Sequence, residues 1–257
     1  MRKAVVFISA VAFAAPWVAD AADCSAKSDA TTAPIVELYT SEGCDSCPPA
    51  DKWFSTLMPP AANVVPLAFH VDYWDYIGWR DNFAHAAFGQ RQREAVKRQG
   101  GRVSYTPQVM LDGRDFRSWS RGSEFRKNLS GIQSRPARAQ VELALKANAT
   151  SIELNSVGFV PGALERTQSA AFLAITESNL QSRVTAGENK GVTLKHDHVV
   201  RELLGPFPIG ADGKFSATRN IALRNGWKPR DLSAVVFVQD QKSGETLQAL
   251  SLPVCAG

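Results

Sequence analysis

The chain has 257 residues, 44% of them hydrophobic and 21% charged. That is an ordinary globular composition, with room for two modest domains or one large one. The formal net charge is +4, too weak a field to suggest a nucleic-acid partner.

In chain order, Met1-Arg2-Lys3 leads into an apolar run over residues 4–15, and Ala19-Asp20-Ala21 offers a small-x-small cleavage site. Residues 1–21 therefore read as a secretory signal peptide, too short for a convincing membrane span. No later segment is long and apolar enough to cross a bilayer. Asp23, beside Cys24, fits a lipoprotein cleavage box poorly, so a soluble periplasmic or secreted product is expected. Export places the chain in an oxidising compartment, where disulfides persist.

Ile35-Val36-Glu37-Leu38-Tyr39 is rich in β-branched and aromatic residues and reads as a strand. A polar turn, Thr40-Ser41-Glu42-Gly43, leads to Cys44 and Cys47. Pro48-Pro49 and a helical pattern over residues 46–58 follow, stopped by Pro59-Pro60. Cysteines at the mouth of a helix suit redox chemistry. The helix terminus favours a thiolate at Cys44, the attacking residue, and Cys47 is close enough to resolve a mixed disulfide. Glu42 and Asp45 work against that thiolate. Two other readings stay open: half of a zinc site, which lacks a second ligand pair at suitable spacing, and a chemically idle disulfide. With Cys44 and Cys47 paired by proximity, Cys24 and Cys255 remain to form a structural disulfide between the two ends.

Residues 64–71 read as a second buried strand, reached by a right-handed crossover. Asp72-Tyr73-Trp74-Asp75-Tyr76-Ile77-Gly78-Trp79-Arg80-Asp81 has no regular period. Its aromatics either cap the core or form a rim, including Trp74, that grips an extended client beside the thiols. Residues 82–99 read as a helix capped by Asp81 or Asn82 and ended by Gly100-Gly101. Its basic face of Arg91, Arg93, Lys97 and Arg98 reads as solvated. A strand over 103–111 contains Thr106-Pro107. Asp112-Gly113 turns it into a return strand over 114–118, and a helix over 123–132 follows.

This order, with Cys44-Asp45-Ser46-Cys47 and Thr106-Pro107, resembles a thioredoxin fold over residues 34–133. The resemblance implies a cis Thr106-Pro107 bond facing the cysteines and a client strand held by Thr106 and Pro107 while Cys44 attacks. Gly43 departs from the tryptophan usual before the first cysteine. The segments VELYTSEGCDSCPPAD, LAFHVDYWDYIGWRDNFA, RQR, YTPQVMLDG and GENKGVTLKHDHVVREL further resemble a family of exported bacterial thioredoxin-like proteins, catalogued as a domain of unknown function. That likeness implies a fold and a compartment but no substrate.

From Arg135 the texture changes to short alternating segments, at 140–145, 151–154, 170–176, 193–204, 215–223, 234–239 and 246–252, separated by turn residues. These argue an antiparallel β-sandwich. The expected fold class is an α/β thioredoxin-like domain, residues 22–134, followed by a β-sandwich domain, residues 135–257. Glu188-Asn189-Lys190-Gly191 reads as a loop that can pack against the first domain. His196-Asp197-His198 sets two imidazoles on one strand face, a spacing that can bind metal, or simply two surface or interface histidines. His70 is either a proton donor or acceptor for the thiols or a satisfied core residue.

The function expected from these residues is an exported thiol–disulfide oxidoreductase acting on a protein thiol or disulfide client, with no cofactor and no resident metal. Two alternatives remain open. One is a metal-handling module using Cys44, Cys47 and His70 on copper(I) or zinc. The other is an envelope-assembly protein with an idle disulfide.

Overall fold

The computed structural model describes residues 22–57 and 63–255. The expected signal peptide and the helix stop at Pro59-Pro60 lie outside the described residues.

The first half of the chain runs β1 (Ala22–Lys27), β2 (Ile35–Thr40), α1 (Pro48–Phe54), β3 (Val65–His70), α2 (Ala86–Arg98), β4 (Gln108–Leu111), β5 (Arg114–Asp115) and α3 (Gly122–Gln133). The second half runs β6 (Gln140–Ala147), β7 (Ser151–Phe159), α4 (Ala163–Gln168), β8 (Ser169–Glu177), β9 (Leu180–Arg183), β10 (Thr193–His196), β11 (Val199–Pro208), β12 (Lys214–Ala222), β13 (Leu232–Asp240) and β14 (Thr246–Pro253).

One mixed sheet of eight strands, ordered β14-β13-β8-β11-β3-β2-β4-β5, runs through the molecule. Strands from both sides of Ser134-Arg135-Pro136 belong to it. The junction is short: β11 lies parallel to β3 with Val199 opposite Ala68, and Ala68 N donates to His198 O at 2.9 Å. A second, four-stranded sheet, β1-β6-β7-β12, is antiparallel throughout. The expected fold class is thereby corrected. The chain is mostly β, with one large mixed sheet and few helices, rather than an α/β thioredoxin-like domain followed by a self-contained sandwich. The physical reason is the free edge of β3, which pairs with β11, after which three more strands of the second half, β8, β13 and β14, extend the sheet.

Alternation along β8 and β13 explains how the layers pack. Ala171, Leu173, Ile175, Ala234, Val236 and Val238 face the four-stranded sheet and meet Val141, Leu143, Leu145, Ile152 and Leu154. The intervening residues, among them Phe172, Ala174, Val235 and Phe237, face the other way and share a core with Phe69, Phe88 and Val96 under α2. A third core lies beneath α1 and α3, around Val36, Leu38, Phe54, Val109, Phe125 and Leu129. Strands buried on both faces read as near-continuous apolar runs, as β8 does.

Several local expectations are revised. α2 begins at Ala86, capped by His85, whose Nδ1 accepts from Ala87 N at 3.1 Å. Asp81 is engaged elsewhere. The return strand is confined to Arg114–Asp115. The segment expected as one strand over 193–204 is broken into β10 and β11, because His198 takes a left-handed φ of 58°. Arg91 is not solvated. It is buried, with Nε 2.9 Å from Glu37 Oε1 on β2 and Nη2 3.0 Å from Gln239 Oε1 on β13. Its guanidinium sits among the rings of Phe69, Phe172 and Phe237, 5.4 to 5.6 Å from their centroids. One side chain thus joins strands from both halves of the chain.

Cys24, in β1, is joined to Cys255, just past β14, across 231 residues of sequence. Among the described residues no helix is long and apolar enough to cross a membrane.

Removing one partner of a buried ion pair strands the other charge in a low-dielectric interior. Glu37→Ala is therefore expected to destabilise the protein by about 3–5 kcal/mol, read as a lowered urea midpoint at unchanged slope.

Candidate functional site

β2 ends at Thr40, and the tight turn Ser41–Gly43 carries the chain to Cys44 at the carboxyl end of the strand. Cys44 and Cys47 are joined as a disulfide. Both residues are fully buried, while Asp45 and Ser46 between them are exposed. The Ser46 hydroxyl lies 3.3 Å from Cys44 Sγ. α1 has only seven residues, and Pro48 and Pro49 contribute no N–H. Its first two amides, on Ala50 and Asp51, both donate to Cys47 O. The helix terminus therefore offers Cys44 less than the sequence suggests, because proline removes the donors that would face a thiolate.

Behind the disulfide lies a cluster of buried titratable groups. Asp51 follows Cys47 by one helical turn on the same face. Burial pushes its carboxyl above the usual range, against the lowering influence of His196, His70 and Thr40. His70, at the end of β3, has Nδ1 2.7 Å from Asp81 Oδ2. Burial opposes a charge on this imidazole, but the Asp81 carboxylate prevails and holds His70 above its ordinary value. Asp81, equally buried, is held below the usual carboxylate range by the His70 charge and by hydrogen bonds. These bonds come from Glu42 N at 2.9 Å and Phe83 N at 2.8 Å. Glu42 receives Trp79 Nε1 at 2.8 Å and lies 3.3 Å from His196 Nε2. The rings of His70 and His196 meet edge to face at 4.8 Å.

The aromatic stretch forms one wall. Trp74 Nε1 donates to Thr106 Oγ1 at 2.7 Å, which brings two of the proposed client-contacting residues together. The Thr106-Pro107 peptide is cis. A Cβ on Gly43 would stand 3.0 Å from Trp74 Cβ and 3.3 Å from Ile77 Cδ1. The residue before Cys44 is thus small because this wall already fills its space. Tyr76, beside it, is 83% exposed.

The other wall comes from the second half of the chain. β9 and β10 form a two-stranded hairpin that pairs with neither larger sheet. Its tip reaches the turn that carries the cysteines. Asn189 Nδ2 donates to Glu42 O at 2.9 Å and to Cys44 O at 3.0 Å, and Asp45 N donates to Glu188 Oε2 at 3.2 Å.

Of the residues singled out from sequence, the structure brings together Cys44 and Cys47, Trp74 and Thr106, and Cys24 and Cys255. It separates His196 from His198. His196 joins the cluster behind the disulfide, whereas the ring of His198 packs against Phe54 at 6.0 Å. Among the described residues no group of three or more His, Cys, Asp or Glu is arranged to hold a metal ion. Sequence reasoning missed Asp51 and offered Asp81 or Asn82 as the helix cap, whereas the expected packing of the Glu188–Gly191 loop against the first half of the chain is present through Asn189. The available signal was the density of acids in the motif-bearing segments.

A family model described as a protein of unknown function (DUF1223) matches residues 35–239. A crystal structure of an Agrobacterium tumefaciens protein from a structural genomics programme is similar at 24% identity, covering 88% of this chain and 96% of that one with a TM-score of 0.57. HBP35 of Porphyromonas gingivalis is similar at 16% identity, covering 88% of this chain and 76% of that one with a TM-score of 0.65. At these identities the likeness concerns the fold alone. No curated protein matches the chain.

The His70–Asp81 pair predicts a pH window. A raised imidazole contributes stability that is complete below its unfolded value and lost as pH rises through its folded one. A depressed carboxyl contributes stability present above its unfolded value and lost as pH falls through its folded one. The pair should therefore stabilise most between about pH 4 and 6.5, the two unfolded values. Asp81→Asn should lower the His70 titration, seen by NMR, and flatten the alkaline side of the Tm–pH curve. An unmoved His70 titration would refute the pairing.

Proposed function

We propose, from the premise that this chain belongs to the DUF1223 family of proteins of unknown function, that it is an exported thiol–disulfide oxidoreductase acting on protein thiols or disulfides through Cys44 and Cys47. The observation that carries this reading is a Cys-x-x-Cys disulfide backed by the buried groups Asp51, His70 and Asp81. Structural disulfides need no titratable groups behind them, and burying charge without a role is costly. Two disulfides fit an oxidising extracellular or envelope compartment, and a periplasmic or secreted location is part of the proposal.

The exchange balances as follows. A client thiolate attacks Cys44 Sγ, a client–Cys44 bond forms, and the Cys44–Cys47 bond breaks with Cys47 leaving as a thiolate. A second client thiolate then attacks the client sulfur and releases Cys44. Two electrons pass from the client to the pair, and the two protons lost by the client thiols become available to the new thiolates. The reverse sequence reduces a client disulfide. Trp74, Thr106 and Pro107 are the residues proposed to hold the client beside Cys44. Asp51, one helical turn after Cys47, is the residue proposed to exchange a proton with the resolving thiol.

A second reading is favoured by one observation: both cysteines are buried. A disulfide with no accessible sulfur is inert, and the protein would then serve as a binding or envelope-assembly factor. Oxidation of a reduced, unfolded protein and reduction of insulin, each followed under turnover, separate the two. The oxidoreductase reading expects activity in one direction, reduced at least about 100-fold in Cys44→Ser, with Cys47→Ser trapping a mixed disulfide. Equal rates for wild type and both variants would leave the inert disulfide as the answer.

A further inference from the structure

The β9–β10 hairpin lies against the turn that carries the buried Cys44–Cys47 pair. The base of this hairpin is anchored: Leu180, Val184, Leu194 and His196 are all buried. Its tip is not. Over residues 185–191 every side chain or backbone is exposed or half-buried except Asn189, which is 6% exposed. The tip is closed on itself by Gly191 N to Val184 O at 2.9 Å and Val192 N to Asn189 O at 3.0 Å, so it can move as one unit. Gly187, at φ +71°, rests against Ile77 and Trp79. A Cβ there would come within 3.3 Å of Ile77 Cδ1 and 3.4 Å of Trp79 Cβ.

We infer that this tip is a gate over the Cys44–Cys47 pair and that Asn189 is its latch, the residue that decides which thiols reach Cys44. The inference rests on the exchange reaction proposed above. Asn189 gives both amide hydrogens to main-chain carbonyls that flank Gly43, those of Glu42 and Cys44. Glu188 adds a contact to Asp45 N. When the tip lifts, these carbonyls pass to water, and the turn carrying Cys44 loses its cover. Neutral hydrogen bonds exchanged for water contribute little net energy each, so the closed state is favoured only modestly. Elements of this kind commonly gate access to reactive groups. A small thiol needs a small displacement of the tip, whereas an unfolded polypeptide needs the whole of it.

The test measures the rate at which the oxidised full-length protein is reduced. The probes are dithiothreitol and reduced, unfolded lysozyme. Samples are quenched in acid and alkylated, and the Cys44–Cys47 peptide is read by mass, with Cys24–Cys255 as an internal control. Asn189→Ala is expected to raise the dithiothreitol rate about tenfold, the change in the closed–open equilibrium for losing two such bonds, and the lysozyme rate by more. Lys190→Ala, on the exposed side of the tip, should match wild type. If Asn189→Ala does not fold, Gly187→Ala, which strains the tip against Ile77 and Trp79, should accelerate both probes in the same order. Unchanged rates in a folded latch variant overturn the gate. Faster reduction in that variant, with no turnover on protein clients in either protein, would uphold the gate and overturn the oxidoreductase reading instead.

Discussion

The parallel pairing of β11 with β3, made through Val199 and Ala68, is the constraint on which the arrangement depends. It is a short junction, yet it welds strands from two halves of the chain into one sheet. The hairpin that precedes β11 is therefore delivered to the carboxyl ends of β2 and β3, where the cysteine turn lies. Without that pairing, Asn189 and His196 would have no reason to approach Glu42 and Cys44. The left-handed turn at His198 ends β10 and starts β11, so the same residue whose carbonyl completes the junction also sets the direction of the hairpin.

Two buried charged assemblies flank this junction on opposite sides of the argument about stability. Arg91 and Glu37 bridge β2 and α2 to β13, deep in an aromatic core. They act as a register mark between layers that apolar packing alone would leave free to slide. The assembly behind the disulfide is different in kind. His70, Asp81, Glu42 and Asp51 combine hydrogen bonds, one close ion pair and one carboxyl pushed upward by burial. Its groups diverge in proton affinity, Asp51 raised by burial and Asp81 lowered by its ion pair with His70.

The legibility of the sequence was uneven, for identifiable reasons. The strands Ile35–Thr40 and Val65–His70 and the Cys44–Cys47 turn followed from local pattern, which reports local structure, whereas the role expected of Thr106 came from the family resemblance alone. The continuity of the large sheet did not, because strand alternation says which face is buried but not which edge finds a partner. Nor did the depth of Arg91. A basic stripe at helical spacing looks solvated unless the acid that pairs with it is known, and Glu37 lies 54 residues away. The pairing of Asp81 escaped for the same reason, since it sits in a loop and its partner Glu42 lies 39 residues away.

The Cys24–Cys255 bond has a consequence for the behaviour of the chain among its own copies. β1 and β14 are edge strands, one of each sheet, and edge strands are the elements most easily exchanged between molecules. With Cys24 bonded to Cys255, residues 24–255 form a covalent ring. Neither terminal strand can peel away and dock on a neighbour without carrying the other with it. Oxidation thus ties one edge strand of each sheet to the other with a single bond.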